Sequence, residues 1–277
     1  MQPKVLEEWK DLAILCAKSA GKLSLEKMNQ PYEVNYKTSA SDLVTAVDEE
    51  VEQLVIDMIL KKYPDHGIIG EENRFKGDPS DAETVWIIDP IDGTTNFVHQ
   101  QINYSVSIAV YHKGEAAVGV VYDPSRDELF HAIKGKGAFL NDRKLELTRE
   151  VKLEEALLCT SLFWNKKAEQ FGIDVIFKEL AGKVRAMRLL GSAALELSYV
   201  AAGRLDGYVS LQLNPWDFGA GKLIIEEAGG KVTSMGGKPL PFNEKSSVVG
   251  CNPSFYAELK GYIRSNMFLN ESAVKDE

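Results

Sequence analysis

The segment WIIDPIDGTTNF, residues 86–97, ends an apolar run with two aspartates and a Gly-Thr-Thr turn. The apolar run from Val85 to Asp89 predicts a buried strand. Asp89 and Asp92 must then converge within one tight loop, and two carboxylates held close together repel unless one is protonated or a cation lies between them. Because Asp-Pro also opens many ordinary turns, three interpretations stay open at this point: a turn, a nucleophilic aspartate or a metal site.

The charge of the chain narrows its possible partners. Its 277 residues, of which 44% are hydrophobic and 26% charged, are typical of a globular protein that buries a full core. The formal net charge of −9 disfavours nucleic acid and anionic membranes as main partners, since both require a basic surface. For the same reason, a phosphorylated substrate would require positive charge from a bound cation.

The cysteines and the N-terminal segment indicate a reduced, cytoplasmic location. Cys16, Cys159 and Cys251 are odd in number and widely separated, which is typical of packing thiols. The first 23 residues show helical periodicity with interspersed charges and do not resemble a signal peptide. No run of 18 apolar residues occurs, so we expect no membrane partner.

The order of predicted elements indicates two packed halves, residues 1–150 and 151–277. The first half is predicted to hold two amphipathic helices, the second over Asp42–Tyr63, then strands at Gly67–Glu71 and Val85–Asp89 and a hairpin around HKGE. In the second half, helices are predicted in IDVIFKELAGKV, GSAALELSYVAAG, DFGAGKLIIEEAGG and FYAELKGYIRSNMF, and strands in LEEALLCTSL, DGYVSLQL, KVTSM and SSVVGCN. The small residues of GAGK lack P-loop spacing and predict close packing of a helix on a sheet.

Further carboxylates stand at the ends of other predicted elements. Glu71 and Glu72 follow an apolar strand, Asp217 lies where a helix should begin, and Asp48 lies beside the apolar stripe of a helix. Taken singly, these acids are also compatible with a solvated loop, a helix N-cap and a solvated helix face. Taken together, a set of hard oxygen ligands favours Mg²⁺ or Mn²⁺ over zinc. Backbone N–H groups of the Gly-Thr-Thr turn beside such a cation would suit metal-assisted phosphate chemistry.

The motifs GEEN, WIIDPIDGTTNF and PWDFGAG, in this order, resemble the inositol monophosphatase family of magnesium-dependent, lithium-sensitive phosphatases. The resemblance covers about residues 5–265 and includes KTSASDLVTAVD and RLLGSAALEL. It implies an α+β or α/β fold, a layered α/β/α/β/α sandwich, and a homodimer. Relatives of this family include fructose-1,6-bisphosphatases and phosphatases of nucleotide 2′- or 3′-phosphates.

The resemblance also implies a role for individual residues. The metal ligands for two or three Mg²⁺ ions would be Glu71, Asp89, the backbone carbonyl of Ile91, Asp92 and Asp217. Glu71 and the pair Thr94 and Asp48 would serve catalysis, the pair by orienting water. The residues expected to contact the phosphate or the organic part of the substrate are Gly93, Thr94, Gly191, Ser192, Ala193, Ser210, Lys37 and Arg188.

The implied activity is that of a phosphomonoesterase of the inositol-1-monophosphatase type, acting on a small phosphorylated metabolite. Ser210 stands where inositol-specific members carry a glutamate, so fructose 1,6-bisphosphate, NADP and 3′-phosphoadenosine 5′-phosphate stay open as substrates. A haloacid-dehalogenase mechanism is disfavoured, because two residues rather than one separate Asp89 from Asp92. A regulatory binding protein on the same scaffold is the alternative of another class.

Overall fold

A computed structural model describes residues 3–30, 34–36, 43–73, 75, 79, 82–160, 162, 169 and 173–263. Lys37 lies outside these residues. The helices are α1 (Pro3–Met28), α2 (Ala46–Lys62), α3 (Thr94–His99), α4 (Ile173–Ala181), α5 (Ala193–Ala201), α6 (Pro215–Glu227) and α7 (256–263). A 3-10 turn spans Leu153–Glu155. The strands are β1 (Val34–Tyr36), β2 (Leu43–Thr45), β3 (Gly67–Gly70), β4 (Thr84–Asp92), β5 (Ser105–His112), β6 (Glu115–Asp123), β7 (Glu128–Ile133), β8 (Gly137–Leu140), β9 (Arg143–Leu145), β10 (Leu157–Thr160), β11 (Ala186–Arg188), β12 (Gly207–Leu213), β13 (Lys231–Thr233) and β14 (Ser246–Cys251).

Two large sheets organise the described chain. The seven-stranded sheet has the order β3-β4-β5-β6-β7-β8-β9 and is antiparallel except for the parallel pair β3 and β4. The five-stranded sheet has the order β11-β10-β12-β14-β13, with β10 parallel to both of its neighbours. A separate antiparallel pair, β1 and β2, precedes α2.

Three hydrophobic clusters hold together five layers of helices and sheets. Helices α1 and α2 pack on one face of the seven-stranded sheet. Helices α5 and α6 fill the space between the two sheets. Helices α4 and α7 cover the outer face of the five-stranded sheet. This arrangement confirms the expected α/β/α/β/α layers. Because the middle cluster joins residues of both predicted halves, their division near residue 150 stays a prediction.

Small residues on α6 allow its close approach to its neighbours. A Cβ atom on Gly221 would lie 2.7 Å from Leu197 of α5, and one on Gly119 of β6 would lie 2.7 Å from the Ala220 carbonyl oxygen. This close packing confirms the interpretation of the GAGK segment. No helix among the described ranges is both long and apolar enough to cross a lipid bilayer.

The predicted start of the second helix was wrong. Leu43–Thr45 is a strand, and α2 begins at Ala46. Thr45 is the N-cap, and its side chain accepts a hydrogen bond from Val47 N, while Asp48 accepts one from Thr45 N at 2.8 Å. This capping box fixes the helix start four residues later than the apolar periodicity indicated.

A cluster of aromatic rings and histidines joins α1 to the seven-stranded sheet. The indole Nε1 of buried Trp86 donates a hydrogen bond to Nδ1 of His66 at 2.9 Å. The ring of Trp9 packs against both His66 and His112. Burial, followed by the proximity of His112, lowers the pKa of His66 below its ordinary value. Because Nδ1 accepts the indole proton, the fold favours the neutral imidazole.

We expect this histidine to make folding stability fall in mild acid. The pKa of His66 is lower in the folded than in the unfolded chain, so its contribution is present above pH 6.5 and is lost as the pH falls below that value. Each unit of pKa difference corresponds to about 1.4 kcal/mol. His66→Gln keeps an acceptor for Trp86 but does not titrate, so its urea-unfolding free energy should fall less between pH 7 and pH 5. His99→Gln, at an exposed position, should show the same fall in unfolding free energy between pH 7 and pH 5 as the wild type. Equal slopes in all three proteins would contradict this interpretation.

Candidate metal and phosphate site

Two aspartates lie close together at the end of β4. The pairing of β4 with β5 shifts register between Asp89 and Asp92, and Pro90 supplies no N–H group to the sheet there. Ile91 N donates to Asp89 Oδ1 at 3.1 Å, which orients that carboxylate. Both aspartates are buried, at 1% and 8% exposure.

The N-terminus of α6 brings a third carboxylate to the same place. Asn214 caps this helix, and its backbone N–H donates to Asp217 Oδ2 at 2.7 Å. One oxygen from each of Asp89, Asp92 and Asp217 lies within 4.8 Å of the other two. Such a cluster of carboxylate oxygens is the donor set that Mg²⁺ prefers.

Glu71 reaches the cluster from the parallel neighbour of β4. It follows β3, and its backbone N–H donates to Ile88 O at 3.2 Å. Its carboxyl group is within hydrogen-bonding reach of the Asp89 carboxyl group. The structure therefore brings together four of the predicted acids, and Ile91 lies between two of them. Glu71 is partly buried, whereas the solvated-loop interpretation would leave it fully exposed.

The electrostatics of the site disfavour four ionised carboxylates without a cation. Burial raises the pKa of Asp89 well above its ordinary range, and the charges of Glu71, Asp92 and Asp217 add to this shift. Burial raises the pKa of Asp92 to about 7 and outweighs the hydrogen bonds that it accepts. Burial and the neighbouring Asp92 also raise the pKa of Asp217. A divalent cation among these oxygens would reverse these shifts, so the residues present fit such an ion.

The predicted pair Thr94 and Asp48 is in contact. Thr94 Oγ1 lies 3.1 Å from Asp48 Oδ1 and 3.2 Å from the Ile91 carbonyl oxygen. Asp48 is fully buried, and its other oxygen accepts the hydrogen bond from Thr45 N in the capping box of α2. Its burial raises its pKa to about 6. The solvated-face interpretation of Asp48 was therefore wrong.

Residues of the predicted pocket segment bind Asp92 directly. Ser192 Oγ donates to Asp92 Oδ2 at 2.7 Å, and the N–H groups of Ala193 and Ala194 donate to the same carboxylate at 3.2 and 2.6 Å. The first turn of α5 thus orients Asp92.

Two glycines allow this turn to meet the start of α3. Gly93 has φ +98° and is the N-cap of α3, and Gly191 has φ +88°. A Cβ atom on Gly93 would lie 3.0 Å from the Gly191 carbonyl oxygen, and one on Gly191 would lie 3.0 Å from the Asn96 side chain. Both the positive φ and the close approach require glycine here.

Two further predicted residues lie on strands of the five-stranded sheet. Ser210 is buried on β12, and its hydroxyl is within hydrogen-bonding reach of the Tyr208 side chain. Arg188 is exposed at the end of β11 and donates to the Met187 carbonyl oxygen at 2.8 Å. No described contact places Arg188 on the carboxylate cluster, so its substrate role stays a prediction.

The sequence reasoning missed two buried glutamates. Glu52 is inaccessible to solvent and accepts a hydrogen bond from Glu72 N at 2.8 Å, directly beside Glu71. Glu196 is 2% exposed and accepts hydrogen bonds from Leu190 N and Gly191 N. Each glutamate interrupts the apolar face of a helix, and that interruption was the available signal.

Comparisons with known proteins agree with the geometry. The family model described as the inositol monophosphatase family matches residues 5–267. An inositol-1-monophosphatase of Bacillus subtilis (strain 168) is 42% identical over 86% of this chain and 90% of its own length. The Nus factor SuhB of Escherichia coli (strain K12) is 43% identical over 82% and 85%. A fructose-1,6-bisphosphatase/inositol-1-monophosphatase of Thermotoga maritima is 38% identical over the same shares.

Solved structures resemble the fold over nearly the whole chain. The 2′AMP-bound structure of SaIMPase-II has a TM-score of 0.82 at 33% identity and covers 96% of this chain and 98% of its own. An IMPase/NADP phosphatase complexed with Mg²⁺ and phosphate has a TM-score of 0.83 at 26% identity and covers 93% and 95%.

We expect Mg²⁺ to stabilise the protein more at neutral than at acidic pH. The raised pKa values of Asp89, Asp92 and Asp217 mean that the metal-free protein loses stability as the pH rises from about 4 through about 7, because the unfolded chain releases these protons first. Millimolar Mg²⁺ should raise the Tm by on the order of several degrees. This rise should be larger at pH 7.5 than at pH 5.5.

Asp92→Asn should raise the Tm of the metal-free protein at pH 7.5 and remove most of the gain with Mg²⁺. Asp57→Asn, at an exposed position on α2, is the matched control and should keep the wild-type gain. An Asp92→Asn protein with the full Mg²⁺ response would exclude Asp92 as a ligand.

Proposed function

Because this chain belongs to the inositol monophosphatase family, we propose that it is a magnesium-dependent phosphomonoesterase that hydrolyses a small phosphorylated metabolite. The observation that carries the proposal is the convergence of the Asp89, Asp92 and Asp217 carboxylates within 4.8 Å. The charge of the chain supports it as well, because a protein of net charge −9 requires a cation to attract a phosphate.

Each acid has a proposed task. Asp89, Asp92 and Asp217, with Glu71 and the Ile91 carbonyl oxygen, would hold two or three Mg²⁺ ions. Bound magnesium supplies charge compensation for the phosphoryl group and makes water a better nucleophile at neutral pH. Mn²⁺ would meet the same oxygen ligands.

Thr94 and Asp48 would orient the attacking water. The Thr94 hydroxyl donates to Asp48, so the lone pairs of its oxygen accept a hydrogen bond from water. Asp48, with its pKa raised to about 6, fixes the direction of that hydroxyl proton. The backbone N–H groups of Gly93 and Thr94 would hold the phosphate oxygens beside this water.

The substrate is proposed to be an inositol monophosphate or a similar metabolite. The name of the Bacillus relative supports inositol 1-phosphate, that of the Thermotoga relative supports fructose 1,6-bisphosphate, and the NADP phosphatase structure supports a nucleotide 2′-phosphate. Ser210 offers a short, uncharged hydroxyl in place of a glutamate. It therefore favours a substrate range broader than inositol phosphates.

Two further properties belong to this proposal. We expect a homodimer, because Ile102 and Leu189 are 44% and 41% exposed and their neighbours Asn103 and Leu190 accept hydrogen bonds from the same Asn96 side chain. A second copy of the chain would cover these two exposed apolar side chains. A regulatory binding role is the second candidate function, and it is supported by the relatives named Nus factor.

Asp89→Asn should lower kcat by about 100-fold or more, because a proposed metal ligand at the centre of the carboxylate cluster loses its charge. The fold should persist, since removing one of several repelling buried charges relieves the site. Phosphate release with Mg²⁺, with and without Li⁺, and circular dichroism test both expectations. Asp57→Asn serves again as the surface control, and an Asp89→Asn enzyme with normal turnover would refute the site.

Ser210→Glu should raise kcat/KM for inositol 1-phosphate relative to NADP by about 10-fold, because a charged hydrogen bond to a ring hydroxyl replaces a neutral one. The assay compares inositol 1-phosphate, fructose 1,6-bisphosphate, NADP and 3′-phosphoadenosine 5′-phosphate. Ser210→Ala is the control for loss of the hydroxyl alone. An unchanged ranking in Ser210→Glu would mean that this position does not contact the substrate.

A further inference from the structure

We propose that Glu196 is a positioning residue that fixes the wall of the substrate pocket, an inference that rests on the phosphatase function proposed above. Glu196 lies on α5 and is 2% exposed. Its Oε1 accepts hydrogen bonds from Leu190 N at 2.6 Å and Gly191 N at 3.0 Å. The Cys159 thiol is within hydrogen-bonding reach of its carboxyl group. The carboxyl group is thus tied to the turn that precedes its own helix.

A buried carboxylate at this position requires a reason. Glu196 stands between Leu195 and Leu197, both fully buried, on a helix that packs between the two sheets. Burial of a charge is costly unless hydrogen bonds compensate it, and an apolar residue would fill this space at lower cost. An apolar residue would, however, leave the N–H groups of Leu190 and Gly191 without their acceptor. The carboxylate therefore serves the turn rather than the core.

The turn held by Glu196 is in contact with the start of α3. The Leu190 carbonyl oxygen accepts a hydrogen bond from Asn96 Nδ2 at 2.6 Å. A Cβ atom on Gly93 would lie 3.0 Å from the Gly191 carbonyl oxygen. The turn is thus held on two sides: its Leu190 and Gly191 N–H groups donate to Glu196, and its Leu190 carbonyl oxygen accepts from Asn96 of α3.

The same turn leads into the donors of Asp92. Ser192 follows Gly191 and donates to Asp92 at 2.7 Å. Glu196 therefore lies behind a wall whose front runs from Asp92 to Gly93, between a proposed metal ligand and the proposed phosphate cradle. A substrate whose phosphate occupies that cradle would place its organic part against this wall. Loss of the tether should weaken binding of the organic part and leave the carboxylate cluster in place.

Two substitutions separate the tether from the packing. Glu196→Leu keeps an apolar volume and removes the acceptor, whereas Glu196→Gln keeps an oxygen at the same place. Glu227 provides a matched control, because its carboxylate accepts hydrogen bonds from Gly135 N at 2.7 Å and Gly137 N at 2.8 Å. It lies at the end of α6 opposite Asp217, ten residues or about 15 Å away along the helix. Glu227→Leu thus removes an equivalent tether far from the site.

The first measurement is amide hydrogen exchange by mass spectrometry, which requires no catalytic activity. We expect exchange in peptides covering residues 188–193 to accelerate by 10-fold or more in Glu196→Leu, on the order expected for amides that lose their only acceptor. It should stay near the wild-type rate in Glu196→Gln. In Glu227→Leu, the acceleration should be confined to residues 134–138.

The second measurement is the division of the effect between KM and kcat. In Glu196→Leu, we expect KM for the preferred metabolite to rise about 10-fold with little change in kcat, the pattern of lost uniform binding. KM for p-nitrophenyl phosphate, whose organic part is small and flat, should change less than about 3-fold. Glu196→Gln should restore the wild-type KM. Asn96→Ala releases the other side of the turn, so it should raise the same KM and add little to Glu196→Leu.

The outcomes separate this inference from the function on which it rests. Unchanged exchange at residues 188–193 in Glu196→Leu would overturn the tether. Faster exchange with an unchanged KM, or an equal loss of kcat for every substrate, would mean a structural role only and would also overturn it. If Glu196→Leu does not fold, Asn96→Ala decides by the same KM criterion. A wild-type protein without phosphatase activity would refute the proposed function, and the exchange experiment would still decide the tether.

Discussion

The convergence of three carboxylates, two buried and one half-buried, is the constraint on which the structure depends. Asp89 and Asp92 end a strand of one sheet, and Asp217 begins a helix that packs between both sheets. Packing the layers together therefore forces like charges within 4.8 Å. Without a cation, burial raises the pKa values of these acids, and the charges of neighbouring carboxylates add to the effect. The hydrophobic clusters supply the free energy that holds this arrangement.

Helix starts reduce the cost of this concentration of charge. Asp48 and Asp217 occupy equivalent positions in two capping boxes, with Thr45 and Asn214 as the respective N-caps. Each aspartate uses one oxygen to accept its N-cap N–H and keeps the other for the site. The positive end of the helix dipole also stabilises a carboxylate there. Within the described ranges, backbone and hydroxyl donors rather than ion pairs with lysine or arginine therefore orient these two acids.

The sequence predicted the elements and acids whose signal is local. The apolar strand before Asp89 and the periodicity of α1 are visible in single segments, and the layered fold followed from the family resemblance. The strand β2 was missed because its residues continue the apolar spacing of α2, and only the capping box shows where the helix begins. Glu52 was missed because its hydrogen-bond partner, Glu72 N, is 20 residues away in the sequence. The side chain of Glu52 also packs against Gly70, where a Cβ atom would collide with it. The hydrogen bond itself leaves no periodic pattern, and the sequence shows Glu52 only as an interruption of the apolar face of α2.

The residues proposed to perform the chemistry and those proposed to select the substrate lie on different parts of the fold. The proposed metal ligands stand at the ends of β3 and β4 and at the start of α6, elements whose positions are fixed by sheet pairing and by the central core. The proposed pocket wall is instead a turn, held by Glu196 and Asn96, and Ser210 lies where the pairing of β12 with β14 becomes irregular. Changes at the turn or at Ser210 can therefore alter the fit of the organic group without displacing a ligand. This division is consistent with relatives that carry different substrate names at similar identity to this chain.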